Sequence, residues 1–211
     1  MTEHALSPGE RAWRLETVSL GMWVFLLTEV MFFGVLFLAY FHVRHADPEG
    51  FGIASRHTHE WLGTINTAIL LTSSLAMALA VHASSGDDRR GMIRCLAITG
   101  LLGVAFLGIK GTEYVLEWRD GLVPQLNFLY SGPHPRTVAQ FFFLYFVMTG
   151  VHAVHLTIGI LAVAWNAIRA RRDIHVAKRE NALEALGLYW HFVDVVWIFL
   201  YPLFYLVLLY R

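Results

Sequence analysis

Residues 186–210 read LGLYWHFVDVVWIFLYPLFYLVLLY, a long apolar run that contains one carboxylate, Asp194. As a helix, at about 1.5 Å per residue, this run is long enough to cross the ~30 Å hydrocarbon core of a bilayer. A buried aspartate three residues after a histidine costs free energy wherever water is absent. The run therefore predicts a transmembrane helix that carries a polar contact within it.

The whole chain has the composition of a membrane protein. Of its 211 residues, 56% are hydrophobic and 15% are charged, whereas soluble domains carry about 25% charged residues. The mean hydropathy is +0.52. The formal net charge is zero, which gives no electrostatic reason to expect a nucleic acid as partner. The single cysteine, Cys95, excludes an intrachain disulfide and any multi-cysteine metal site.

Four further apolar runs precede the last one, so we predict an all-α bundle of five transmembrane helices. The predicted spans are residues 19–40, 61–81, 92–116, 138–165 and 186–210. Residues 1–18 are polar and lack the features of a signal peptide, so they are predicted to form a cytoplasmic tail. No repeat of fixed period is visible, and residues 19–211 are interpreted as one membrane domain.

The distribution of basic residues predicts the orientation, because cytoplasmic loops carry an excess of Lys and Arg. One side of the predicted spans has ten: Arg11, Arg14, Arg89, Arg90, Arg94, Arg169, Arg171, Arg172, Lys178 and Arg179. The other side has five: Arg44, Arg56, Arg119, Arg136 and Arg211. We therefore predict a cytoplasmic N-terminus and a periplasmic C-terminus.

Glu29 lies near the middle of the first predicted span. Ionisable groups at membrane depth are rare and are treated as functional hypotheses with a named partner. A carboxyl at this depth suits a proton-conducting role. The simpler interpretation is a protonated glutamate that donates one hydrogen bond to a neighbouring helix.

His152 and His155 lie three residues apart in the fourth span, so they share a helix face. Two histidines at this spacing could ligate a metal, but a competent site needs a third protein ligand. The sequence offers no convincing third ligand, and we predict no metal site in this chain. Packing or contact with lipid is the favoured interpretation of both residues.

The last span carries a polar and aromatic seam, defined by Trp190, His191, Asp194 and Trp197. The seam is interpreted as structural, with His191 and Asp194 satisfying one another or groups on neighbouring helices. The two tryptophans and the aspartate follow helical spacing and therefore share one face of the helix. Because an aspartate facing lipid is costly, this face is predicted to turn towards protein. A catalytic His–Asp dyad would need a nucleophile motif, and none is visible.

Lys110 and Glu113 lie near the end of the third span and are predicted to form an ion pair. The favoured interpretation is an interfacial anchor, in which the lysine extends towards the headgroups and Glu117 continues the pair.

From the residues alone, the chain is a five-helix membrane protein with buried ionisable groups and no self-sufficient active centre. That profile is typical of an accessory subunit, with a small proton carrier as the alternative.

GLYWHFVDVVWIFLYPLFYL (187–206), in the last predicted span, resembles the last helix of subunit III of haem–copper oxidases of the cytochrome c oxidase type. WVFLLTEVMFFGVLFLAYFH (23–42), LGTINTAILLTSS (62–74) and FFFLYFVMTGVHAVHLTIGIL (141–161) follow the family's order, and GIKGTEY (108–114) is a weaker match. Longer members have seven helices, and this chain resembles the five-helix bacterial form.

The resemblance implies a non-redox subunit that packs on the catalytic subunit I in a bacterial plasma membrane, with subunit II and other respiratory-complex subunits as further partners. Haem and copper would be held by the partner subunits, and this chain would bind phospholipid and support proton uptake and sustained reduction of dioxygen. Glu29 matches the family's characteristic carboxyl, associated here with proton uptake. His155 and Arg169 match positions associated with phospholipid.

Two other interpretations remain open at this point. One is an accessory protein of a quinol oxidase or nitric oxide reductase, which shares the subunit III pattern but serves another enzyme. The other belongs to a different class: a stand-alone proton channel built around Glu29.

Overall fold

The computed structural model describes residues 8–86, 88–172 and 180–206, which are almost entirely helical. Five long helices are each long and apolar enough to cross a membrane, as predicted. They are α1 (Pro8–Ala46), α3 (Glu60–Ser85), α4 (Arg89–Arg119), α5 (Pro135–Arg172) and α6 (Glu180–Tyr205). The first seven residues of the predicted tail and the predicted end of the last span at residue 210 lie outside the described residues.

The long helices extend beyond the predicted spans because their polar ends continue the helix outside the apolar stretch. α1 continues back to Pro8, into the segment predicted as a tail. α4 begins at Arg89, where the side chain of Asp88 accepts a hydrogen bond from the Gly91 amide at 3.0 Å and caps the helix. Composition marks the apolar part of a membrane helix, whereas capping residues and surface contacts decide where the helix ends.

Two short elements were not predicted. α2 (Pro48–Ser55) follows α1, with Asp47 as its N-cap and Pro48 at its first position. Between α4 and α5, β1 (Leu122–Val123) and β2 (Asn127–Phe128) pair antiparallel, with Leu122 opposite Phe128. Gly121 adopts a left-handed conformation at the start of this hairpin, with φ of +67°. Both elements lie at one end of the bundle, which we call the hairpin end.

The opposite end of the bundle, which we call the arginine-rich end, contains Arg89, Arg90, Arg94, Arg169, Arg171 and Arg172. Arg89 ties two helices together there. Its Nε donates to the Ala170 carbonyl at 2.7 Å and its guanidinium also donates to the Arg171 carbonyl at 2.9 Å. These carbonyls belong to the last turn of α5 and have no hydrogen-bond donor within their own helix. Arg89, at the start of α4, supplies the donors that they lack.

The bundle is built around α6. It packs against α1, α3 and α5, while α3 also packs along α4 and α4 along α5. The tryptophans of α6 are fully buried, and a Cβ at Gly103 or Gly159 would lie 3.0 or 3.2 Å from the Trp190 ring. These two glycines, on α4 and α5, therefore make room for one large side chain.

α1 is the least buried of the five long helices, and it packs on α5 and α6. The face of α1 that points away from the bundle carries large apolar side chains between residues 20 and 38. Those that are exposed include Leu20, Trp23, Leu27, Met31 and Leu38. A continuous exposed apolar face is stable in lipid or against another membrane subunit, but not in water. The fold thus matches the prediction of an integral membrane bundle.

Candidate functional site

Glu29 of α1 reaches across the bundle to α5. Its Oε2 lies 3.1 Å from Nε2 of His155, and both side chains are 17% exposed. The Tyr189 hydroxyl, on α6, donates to the His155 carbonyl at 2.9 Å, and the Phe33 ring lies 5.6 Å from the imidazole. Three helices therefore meet around one carboxyl–imidazole pair.

The hydrogen bonds of His155 determine how the pair holds its proton. Nδ1 lies 2.9 Å from the Val151 carbonyl, which only accepts hydrogen bonds, so Nδ1 carries a hydrogen. Nε2 then either accepts from a protonated Glu29 or, in an imidazolium, donates to its carboxylate. Either form gives a hydrogen bond between the Glu29 carboxyl and Nε2 of His155.

His152 and His155 have different neighbours in the structure. His152 is 1% exposed and lies against the rings of Phe106 and Trp197, at 5.6 and 5.2 Å, whereas His155 faces α1. Within residues 8–86, 88–172 and 180–206, no three His, Cys, Asp or Glu side chains come together as metal ligands. The shared helix face does not bring the two histidines to a common site.

A second polar cluster surrounds Lys110 near the hairpin end. Its Nζ donates to Glu113 Oε2 at 3.0 Å, to the Tyr145 hydroxyl at 2.5 Å and to the Tyr205 hydroxyl at 2.7 Å. The Tyr205 hydroxyl in turn donates to Glu113 Oε1 at 2.6 Å. α4, α5 and α6 each contribute to this network, which we call the lysine cluster.

The predicted ion pair is present, but the lysine does not extend outwards as predicted. Lys110 is 3% exposed and Glu113 is fully buried, so the lysine turns into the bundle instead of extending to the headgroups. It does so because Tyr145 and Tyr205 offer hydroxyl acceptors inside the bundle. The sequence gives no signal that would place these two tyrosines beside Lys110, since they lie on other helices.

The polar and aromatic seam on α6 faces protein, as expected, but its members do not pair with one another. His191 Nδ1 is hydrogen-bonded to the Ser74 hydroxyl on α3 at 2.7 Å, and Trp197 donates to Thr67 Oγ1 at 3.1 Å. Asp194 is 3% exposed, and neither of its oxygens has a hydrogen-bond partner among the described residues. The predicted contact between His191 and Asp194 is therefore wrong. The alternative prediction, that these residues bond to neighbouring helices, agrees with the contact of His191 with α3.

Arg169 lies fourteen residues beyond His155 on α5, about 21 Å away at about 1.5 Å per residue. Its guanidinium stacks over the exposed Trp165 ring, 5.8 Å from the ring centre. Both ring nitrogens of His155 already have partners. One lipid headgroup therefore cannot contact both residues that the family resemblance associates with phospholipid.

Asp47, which the sequence analysis did not single out, connects α2 with the start of α5. Its carboxylate accepts from the Thr137 hydroxyl at 2.6 Å, from the Gly50 amide at 3.0 Å and from the His134 ring at 2.7 Å. These hydrogen bonds, that from Thr137 above all, hold the pKa of Asp47 below its ordinary value. In the sequence, the one sign that Asp47 caps a helix is its position directly before a proline, Pro48, which starts α2.

This lowered pKa predicts how acid acts on the hairpin end. The contribution of Asp47 to stability is complete above the ordinary carboxyl pKa of about 3.9 and is lost as the pH falls through the lower folded value. Asp47→Asn should therefore melt at a lower temperature than the wild type at pH 7, with a difference that shrinks below pH ~3.9. Melting curves at several pH values measure this, with the exposed neighbour Glu49→Gln as control. A difference that does not change with pH would exclude the proposed linkage.

Comparison with known proteins identifies the family. The family model for cytochrome c oxidase subunit III matches residues 7–208. Cytochrome c oxidase subunit 3 of Thermostichus vulcanus is 36% identical over 192 residues, covering 89% of this chain and 86% of that protein. Quinol oxidase subunit 3 of Bacillus subtilis is 30% identical over 207 residues, covering 97% and 95%.

A third relative carries two subunits in one polypeptide. The haem–copper oxidase subunit I+III of Aeropyrum pernix is 31% identical over 194 residues, covering 88% of this chain and 22% of that protein. The family model covers the Glu29, lysine-cluster and seam positions, and the first two relatives each cover most of the chain. The chain therefore belongs to the cytochrome c oxidase subunit III family, a membrane subunit of haem–copper oxidases.

Proposed function

We propose that this chain is the non-redox subunit III of a haem–copper oxidase of the cytochrome c type and packs directly on subunit I, with subunit II and other respiratory-complex subunits as further partners. The family match over residues 7–208 carries the proposal. The fused I+III relative supports direct contact, because one polypeptide holds both subunits together. The exposed apolar face of α1 offers a surface suited to another membrane subunit.

The electron donor separates the two nearest alternatives. One relative is named for cytochrome c and another for quinol, and we propose cytochrome c, since the higher identity belongs to the former. Haem and copper are assigned to partner subunits in either case. Rates of oxygen consumption by the purified complex with reduced cytochrome c and with a quinol test the donor. Haem analysis of the separated subunits tests where the haem is held.

A phospholipid is proposed to bind along α5. Arg169 and the Trp165 ring under it form a cationic and aromatic pair suited to an anionic headgroup at the arginine-rich end. One leaflet provides about half of the ~30 Å hydrocarbon thickness, so the acyl chains of that lipid would extend towards His155. We therefore propose that Arg169 contacts the headgroup and that His155 lies near the chain ends.

The arginine-rich end is proposed to face the cytoplasm of a bacterial cell, with the complex in the plasma membrane. The excess of Lys and Arg at that end supports this orientation. It places the N-terminus in the cytoplasm and the hairpin end in the periplasm.

The Glu29–His155 pair is proposed to support proton uptake. Glu29→Gln keeps a hydrogen-bond donor for His155 Nε2 but removes the exchangeable proton of the carboxyl. The variant complex should therefore assemble in normal amount and take up protons several-fold more slowly. Proton uptake by the reduced complex is measured with a pH-indicator dye.

Thr28→Val serves as the matched control, because the exposed Thr28 hydroxyl donates to the Phe25 carbonyl in its own helix and, among the described residues, to no other helix. That variant should match the wild type in amount and rate. Unchanged proton uptake in Glu29→Gln would remove Glu29 from the proposal.

The role of the whole chain is tested by purifying the oxidase with and without it. We expect a similar initial rate of dioxygen reduction, followed in the depleted enzyme by a progressive loss of activity during turnover that added chain prevents. Equal lifetimes would contradict the supporting role. Proton conductance by the chain alone in liposomes would favour the channel alternative.

A further inference from the structure

The lysine cluster contains one carboxyl that its ion pair does not explain. Glu117 lies one helical turn beyond Glu113 on α4 and is fully buried. Neither of its oxygens makes a hydrogen bond of normal geometry within the part of the chain that the structure describes. A buried carboxylate without a bonded partner is among the most costly groups in a protein interior.

Lys110 cannot supply that partner. An ammonium group has three hydrogens to donate, and those of Lys110 go to Glu113, Tyr145 and Tyr205. The Tyr205 hydroxyl donates to Glu113, so its hydrogen is also used. The single positive charge is therefore matched and bonded by the single carboxylate of Glu113, and a second carboxylate at Glu117 would leave a buried net charge.

The remaining groups around Glu117 do not compensate such a charge. Glu117 interacts with Lys110, Glu113 and Tyr114 on α4 and with Asp120, the residue that follows this helix. From the other helices it interacts with the hydroxyls of Tyr145 and Tyr205. Two of the titratable groups near the cluster are Tyr114, whose hydroxyl is bonded to Thr149 at 2.6 Å, and His152, which lies near Lys110.

We propose that Glu117 is a proton-binding site: a carboxylic acid that keeps its proton at neutral pH and exchanges it with water at the hairpin end. The exchange is a simple dissociation, in which the O–H bond breaks, the proton passes to water and the carboxylate retains the electron pair. Glu117 lies near the surface of the protein along the chain, because Asp120, three residues further on, is exposed. β1 packs against both α4 and α5 at the hairpin end.

Two glutamates on one helix, both fully buried, provide a matched test. If Glu117 is protonated, Glu117→Gln replaces one neutral group with another of the same shape, and the complex should assemble in wild-type amount. Glu113→Gln removes the carboxylate that is bonded to Lys110, and the amount of assembled complex should fall several-fold. Equal losses in the two variants, or failure of Glu117→Gln to assemble, would overturn the proposal, because both would mean that Glu117 is an ionised partner of Lys110.

Infrared spectroscopy of the intact complex measures the proton itself. The wild-type spectrum minus that of Glu117→Gln at pH 7 should contain the C=O stretching band of a protonated carboxylic acid, which moves to lower frequency in D2O. Absence of this band would show that Glu117 is ionised and would overturn the site. A band that stays unshifted in D2O would contradict exchange with the hairpin end.

Discussion

Lys110→Met is expected to lower the free energy of unfolding by about 3–5 kcal/mol, the usual cost of removing one partner from a buried ion pair. The variant loses three hydrogen bonds to the ammonium group and leaves the Glu113 carboxylate buried without its cation. Denaturant titration of the purified protein in detergent gives the change in midpoint. The amount of assembled complex in membranes should fall in parallel.

The double variant Lys110→Met/Glu113→Gln distinguishes a charge effect from a packing effect. Because it leaves no uncompensated charge, it should be more stable than Lys110→Met alone. Arg119→Met, which removes an exposed cation from the end of the same helix, should change stability by no more than about 0.5 kcal/mol. A double variant that is less stable than either single variant would contradict a charge-balanced lysine cluster.

Trp190→Ala is expected to cost about 3 kcal/mol, at the lower end of the range for removing a large aromatic side chain from a core. The ring is fully buried and fills the space beside Gly103 and Gly159. In lipid, helices associate mainly through such van der Waals packing, so the cavity loses contacts that lipid chains do not replace. The same denaturant titration measures the effect.

Phe199→Ala is the matched control for Trp190→Ala. It removes an aromatic ring from the same helix at a position that is 55% exposed. This control should leave the midpoint of unfolding nearly unchanged. Equal destabilisation by the two variants would mean that the fit of Trp190 between the glycines does not stabilise the bundle.

The five spans could be predicted from the sequence because lipid requires long apolar helices. The position of each helix is therefore visible as a run of apolar residues in the sequence. The short elements could not be predicted in this way. α2 and the hairpin have few residues, and their conformations depend on Asp47, on the left-handed Gly121 and on contacts with the ends of other helices. Local composition carries little of that information.

The candidate site shows the same division between local and distant relations. The Lys110–Glu113 pair follows from their spacing on one helix, so the pair was predictable, whereas its burial depends on tyrosines 35 and 95 residues away. Glu29 was recognisable as a buried carboxyl, but its partner His155 lies 126 residues further along the chain. The sequence thus identifies unusual groups, and tertiary packing decides what they bind.

The seam on α6 shows how spacing can mislead. His191 and Asp194 are close enough along the helix to pair, yet the Ser74 hydroxyl on α3 is bonded to the imidazole. A nearby group on another helix took the place of the expected local partner. Predictions of side-chain pairs within one helix therefore need the neighbouring helices as a check.

The central claim is that this chain belongs to a haem–copper oxidase and packs on its catalytic subunit. The most direct test is to isolate the chain through an affinity tag in mild detergent and to analyse the product by visible spectroscopy and mass spectrometry. We predict haem absorption bands together with a large, many-helix partner in a fixed ratio to the tagged chain. A colourless product that contains the tagged chain alone would contradict the claim.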